Sequence, residues 1–100
     1  MPKLKNPAPG TLPDREVVAA RLVAMRKSLA MTKAKLADEI ECDRGTYGKY
    51  EKAQRDLTLQ VAWRIHNLYG FTLDYLFDGK AHGIPGDKRD AVISALRLHA

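Results

Sequence analysis

Residues Thr32 to Lys52 read TKAKLADEIECDRGTYGKYEK, and this stretch decides the fold. It divides into two short helical patterns around a tight turn. Thr32 offers a hydroxyl cap after the apolar Met31, and Leu36, Ala37 and Ile40 follow at the spacing of one helix face. Glu41 and Cys42 form the turn, and Asp43 is the next cap. A second helix over Arg44 to about Lys52 then carries Tyr47 and Tyr50 on its inner side. Two helices this short share a core only if they cross steeply, so Leu36, Ala37, Ile40, Cys42 and Tyr47 must pack at the crossing. Ala37 is small, which lets the partner helix pass close by. The same packing turns Arg44, Gly45, Gly48, Lys49 and Lys52 outward.

Working outward, Asp14 offers an N-cap oxygen and Glu16 faces the positive end of the helix dipole. Val18, Leu22, Met25 and Leu29 then recur at spacings of four, three and four, one face of a helix. Downstream, residues 55–57 predict a loop. Thr58 caps a helix whose Val61, Ala62, Ile65, Leu68 and Tyr69 form a wide apolar stripe, stopped by Gly70. Thr72 caps a short helix, Leu73 to Phe77, ended by Gly79. Three of the seven residues from Lys80 to Gly86 are Gly or Pro, which predicts a linker. A last helix starts at about Asp87, with Val92, Ile93 and Leu96 on one side. At the other end, Pro2, Pro7, Pro9, Pro13 and Gly10 block regular structure and predict a flexible arm. The expected division is an arm at 1–13, a domain at 14–79, a linker at 80–86 and a C-terminal helix at 87–100. No strand pattern occurs, so the predicted class is all-α: five short helices plus a terminal one.

One hundred residues suffice for one modest core but not for two. No apolar run is long enough to span a membrane, and the N-terminal stretch has no apolar core of a secretory signal. The single cysteine, Cys42, cannot form an internal disulfide, which places the chain in a reducing cytoplasm. His66, His82 and His99 share no helical face, and no Cys/His spacing suits zinc, so neither metal nor cofactor is expected. No nucleophile–base set or phosphate loop is present, which argues against an enzyme. Net charge is +5 and the pI near 9.5, a balance that suits an anionic partner.

From Arg21 to Gly79 the chain resembles the lambda repressor/Cro-like helix-turn-helix family, often called the xenobiotic-response-element family. The matching landmarks are Arg21-Leu22, Arg26, Thr32-Lys33, Leu36-Ala37, Tyr47, Tyr50-Glu51 and Leu73-Asp74-Tyr75-Leu76. The closing segment, from Leu68 to Gly79 and on to Gly83-Ile84-Pro85, is similar to a subgroup with the pattern YGxTLDWLYxGDPSGLP. The resemblance implies a five-helix domain that binds double-stranded DNA by placing its third helix in the major groove, Arg44 first. It implies phosphate contacts at Thr32 and Lys33, and a pairing of Glu51 with Arg26 beneath helix three. By side-chain chemistry, Arg44 suits guanine O6 and N7, Thr46 a phosphate or a thymine methyl, and Lys49 a guanine or phosphate. Lys52 adds positive charge to the DNA-binding face, Arg55 is a second contact to the DNA backbone, and the arm's Lys3 and Lys5 are either inert or reach a minor groove. Tyr47, Tyr50 and Trp63 read as core, and Cys42 as a packed, unreactive turn residue.

The chain departs from the family in four places. Glycine is usual where Glu41 and Ala53 stand, and an alanine in the left-handed region is strained, so helix three is expected to end differently. Lys33 stands where Gln is usual, and Gly45 leaves a base-reading position without a side chain. The expected function is a sequence-specific transcription regulator, a repressor acting as a homodimer, with the terminal helix in the dimer alongside helix five around Tyr75 and Phe77. The alternative is a protein-interaction module, such as an antitoxin that binds a partner protein.

Overall fold

A computed structural model describes residues 12–99. The expected arm therefore lies outside the described residues except for Leu12 and Pro13, and so do Lys3 and Lys5. Six α-helices follow in order: α1 (Arg15–Ser28), α2 (Lys33–Glu39), α3 (Arg44–Glu51), α4 (Leu59–Tyr69), α5 (Leu73–Asp78) and α6 (Arg89–His99). The class is all-α, as predicted. None of these helices is long and apolar enough to cross a membrane.

Local chemistry fixes the helix starts. The Thr32, Thr58 and Thr72 hydroxyls accept the backbone N–H of Lys35, Val61 and Tyr75, and the Asp43 carboxylate accepts that of Thr46. Asp14 is the exception. Its backbone carbonyl, not its carboxylate, receives the first-turn N–H groups of Val17 and Val18. Gly70 and Gly79 take left-handed conformations after α4 and α5, as expected.

Helices α1, α2 and α3 also end in left-handed residues, but these are Ala30, Glu41 and Ala53. Each lies inside a two-bond C-terminal motif. After α3, the Ala53 N–H reaches the Tyr50 carbonyl at 3.3 Å and the Gln54 N–H reaches that of Lys49 at 2.8 Å. Helix three thus ends as a glycine-terminated helix would, against the expectation that an alanine there changes the ending. The satisfied carbonyls outweigh the local strain of a Cβ at positive φ.

The core gathers Leu22 and Met25 from α1, Leu36, Ala37 and Ile40 from α2, and Tyr47 from α3. Val61, Ala62 and Ile65 of α4, then Phe71, Tyr75 and Leu76, close it from the other side. Two residues depart from the expected pattern. Leu68 and Trp63 stand exposed on α4, because the buried stripe of that helix is narrower than its apolar content. Lys80 to Gly86 is not a loose span. It holds a 3-10 turn at Ala81–Gly83, and the Gly83 carbonyl accepts the Thr72 N–H at 3.0 Å. A Cβ on Gly83 would run into the Thr72 hydroxyl and the Tyr75 backbone, so here glycine serves close packing. Ile84 is buried beside it. After this turn α6 folds back along α1, with Val92 fully buried.

Candidate nucleic-acid interface

The α2–turn–α3 unit is held from beneath by a charged network. Arg26 donates from Nε and Nη2 to the two carboxylate oxygens of Glu51, at 2.8 and 3.1 Å, and from Nη1 to the Met31 carbonyl at 3.0 Å. Tyr47 donates its hydroxyl to the same carboxylate at 2.6 Å. Glu51 is 2% exposed and Arg26 15%, so the pair ties α1 to the last turn of α3 away from water. Burial, reinforced by the Glu51 charge, pushes the Tyr47 hydroxyl far above its ordinary pKa, so it stays a donor.

A second clamp comes from α4. Arg64 reaches the Ile40 and Glu41 carbonyls at 3.3 and 3.0 Å, placing a cation on the free carbonyl end of α2. It thereby supports the left-handed Glu41 that makes the turn. Cys42 packs against the core, and burial with the adjacent Asp43 raises its thiol pKa, which keeps it protonated and unreactive.

On the outer side, Arg44, Gly45, Lys49 and Lys52 are exposed along α3. Thr46 is half-buried, and its hydroxyl turns back to Asp43 at 3.2 Å. Thr32 and Lys33 stand exposed at the start of α2, and Arg55 in the loop before α4. Among the described residues, Lys33, Lys49, Lys52 and Arg55 have no carboxylate within ion-pair distance. Arg44 does: Asp38 of α2 takes it in a two-pronged pair at 3.0 and 2.6 Å.

Sequence reasoning missed Asp38 and Arg64 as parts of this unit. Asp38 lies six residues before Arg44, across a turn, so no helical periodicity links them. Arg64 is on another helix altogether. The arrangement is a short exposed helix, cationic at its start and along its outer face, rigidly backed by two clamps. A model of the helix-turn-helix family matches residues 22–76. The chain belongs to the lambda repressor/Cro-like helix-turn-helix family. No curated protein and no solved structure matches it. The matched span runs from within α1 to within α5 and so contains the whole α2–turn–α3 unit. The 3-10 turns and α6 lie beyond it. Membership makes this chain a DNA-binding regulator.

Proposed function

We propose that the protein is a sequence-specific regulator, a repressor that binds a two-fold operator as a homodimer with α3 in the major groove. The outer face of α3 carries the proposal. Gly48 has nothing within 4 Å of where a Cβ would stand, so internal packing does not require a glycine there. A mid-helix glycine costs roughly 1 kcal/mol against alanine. With Gly45 it gives the helix a low profile between Arg44 and Lys49, which suits a backbone that approaches DNA closely. Arg44 is assigned to guanine O6 and N7, and Thr46 and Lys49 to base edges or phosphate. Thr32, Lys33, Lys52 and Arg55 are assigned to the phosphates that set register. A dimer seated across a promoter represses by excluding polymerase, with no further contact surface needed. The compartment is the cytoplasm, where the DNA lies and Cys42 stays reduced.

The test is a salt titration of binding to a duplex selected from a random pool. The expected log–log slope is about −0.9 for each phosphate neutralised, and a slope near zero contradicts binding through these cations. Single variants then separate the roles. Lys33→Ala is expected to weaken all duplexes about equally, whereas Arg44→Ala relaxes preference at one or two operator positions. Uniform weakening by Arg44→Ala removes it as a base reader.

The dimer is proposed because one short domain touches too little DNA for high specificity, and two copies double the contacts. Val92 is spent on α1, Leu96 packs partly against the same core and Tyr75 is buried, which leaves the Ile93 side of α6 for the partner copy. Ile93 and Leu96 there line an open, mainly apolar groove of about 600 Å3 with Val17, Ala20 and Ile84. Val17 is 41% exposed, so Val17→Lys leaves the core intact. Sedimentation is expected to show a dimer for the parent and a monomer for Val17→Lys. A parent that remains monomeric while occupying its operator overturns this assembly.

A further inference from the structure

We propose that Asp38 is a specificity-determining positioning residue that braces the Arg44 guanidinium for base reading. The inference rests on the DNA-binding reading above. Arg44 Nε donates to Asp38 Oδ1 at 3.0 Å and Nη2 donates to Oδ2 at 2.6 Å. The carboxylate therefore occupies one side edge of the guanidinium. Both Nη1 hydrogens and the second Nη2 hydrogen stay free. The end-on pair, one from each Nη, is the parallel two-donor edge that fits guanine O6 and N7.

The brace comes from α2, not from α3. Asp43, the carboxylate next to Arg44 in sequence, is committed to the N–H and hydroxyl of Thr46. Gly45 offers no side chain that could support Arg44 from its own helix. Asp38 thus ties the reading group to the other helix across the turn, and the guanidinium plane is set by the angle of the helix pair. An unbraced arginine must order its long side chain when it meets the base, and this ordering entropy weakens the cognate complex. Both partners are largely exposed, at 66% and 53% of the side chain for Arg44 and Asp38, so the pair adds little to stability. Its effect falls on recognition instead.

The experiment compares the full chain with Asp38→Ala and Arg44→Ala on the selected operator and on duplexes mismatched one position at a time. Arg44→Ala identifies the position that Arg44 reads. At that same position Asp38→Ala is expected to lower the cognate-to-mismatch ratio about five- to tenfold, with the melting temperature unchanged. Asp38→Asn, which keeps one acceptor, is expected to fall between. A carboxylate that only repels phosphate gives a different result: Asp38→Ala tightens every duplex alike and leaves the ratio intact, which overturns the brace. Loss of preference at a different position overturns it too, because Asp38 would then read a base itself. If the parent chain binds DNA but shows no preference among duplexes, the sequence-specific reading fails first, and the brace falls with it.

Discussion

Glu51→Ala is expected to destabilise the protein by about 3–5 kcal/mol, because it breaks a buried ion pair from one side. The Glu51 carboxylate receives both prongs of Arg26 and the Tyr47 hydroxyl. Its removal leaves the guanidinium with the Met31 carbonyl alone and strands the hydroxyl of a fully buried tyrosine. Small domains have about 5–15 kcal/mol of stability in all, so this one change takes a large share. Glu51→Gln is expected to cost less, since the amide oxygen still accepts one bond. Arg26→Ala with Glu51→Ala is expected to be milder than the sum of the two singles, because no uncompensated charge then stays behind. Urea unfolding checks this: the midpoint drops with the slope unchanged. A loss below about 1 kcal/mol for Glu51→Ala, the range of an exposed pair, contradicts the network as the tie between α1 and α3.

The second large effect has the opposite sign. Ala30, Glu41 and Ala53 sit at φ 56°, 54° and 60°, where a side chain costs about 1–2 kcal/mol. Glycine removes that strain, though its own chain entropy on folding takes back part of the gain. The expected net is about 1 kcal/mol of stabilisation at each position, and the gains at the three helix ends are expected to add. The triple variant Ala30→Gly, Glu41→Gly, Ala53→Gly is therefore expected to melt about 12–24 °C higher, at about 4–8 °C per kcal/mol for a domain of this size. Calorimetry reads it directly. A triple variant no more stable than the parent means that the strain at these turns is relieved elsewhere. Exposed Glu41 gives the cleanest single test, because Arg64 holds its backbone carbonyl whichever side chain is present.

Much of the site was legible because its signals are local. Thr32, Asp43, Thr58 and Thr72 mark helix starts by their own oxygens, and each accepts the expected N–H. The pairing of Arg26 with Glu51 followed from the family resemblance, whereas Tyr47 joining it did not. The inward spacing of Tyr47 predicts burial but says nothing of where its hydroxyl points. Trp63 and Leu68 misled for a related reason: apolar character gives a helix a stripe, while the neighbours decide how much of it is covered. The glycines and proline of Lys80 to Gly86 misled because the same residue types serve loose linkers and tight contacts.

The sequence by itself determined the all-α class, the order of the helices, the caps of α2 to α5, the inner faces of α2 and α3, and the cations on the outer side. Each of these follows from periodicity of 3.6 residues or from an oxygen beside a free N–H, interactions confined to a few neighbouring residues. Only the tertiary structure decided that Asp38 holds Arg44, that Arg64 closes the end of α2, and that α6 lies back along α1. These depend on how helices cross in space, and a crossing angle is set by the summed packing of the whole core. No residue pair along the chain encodes it.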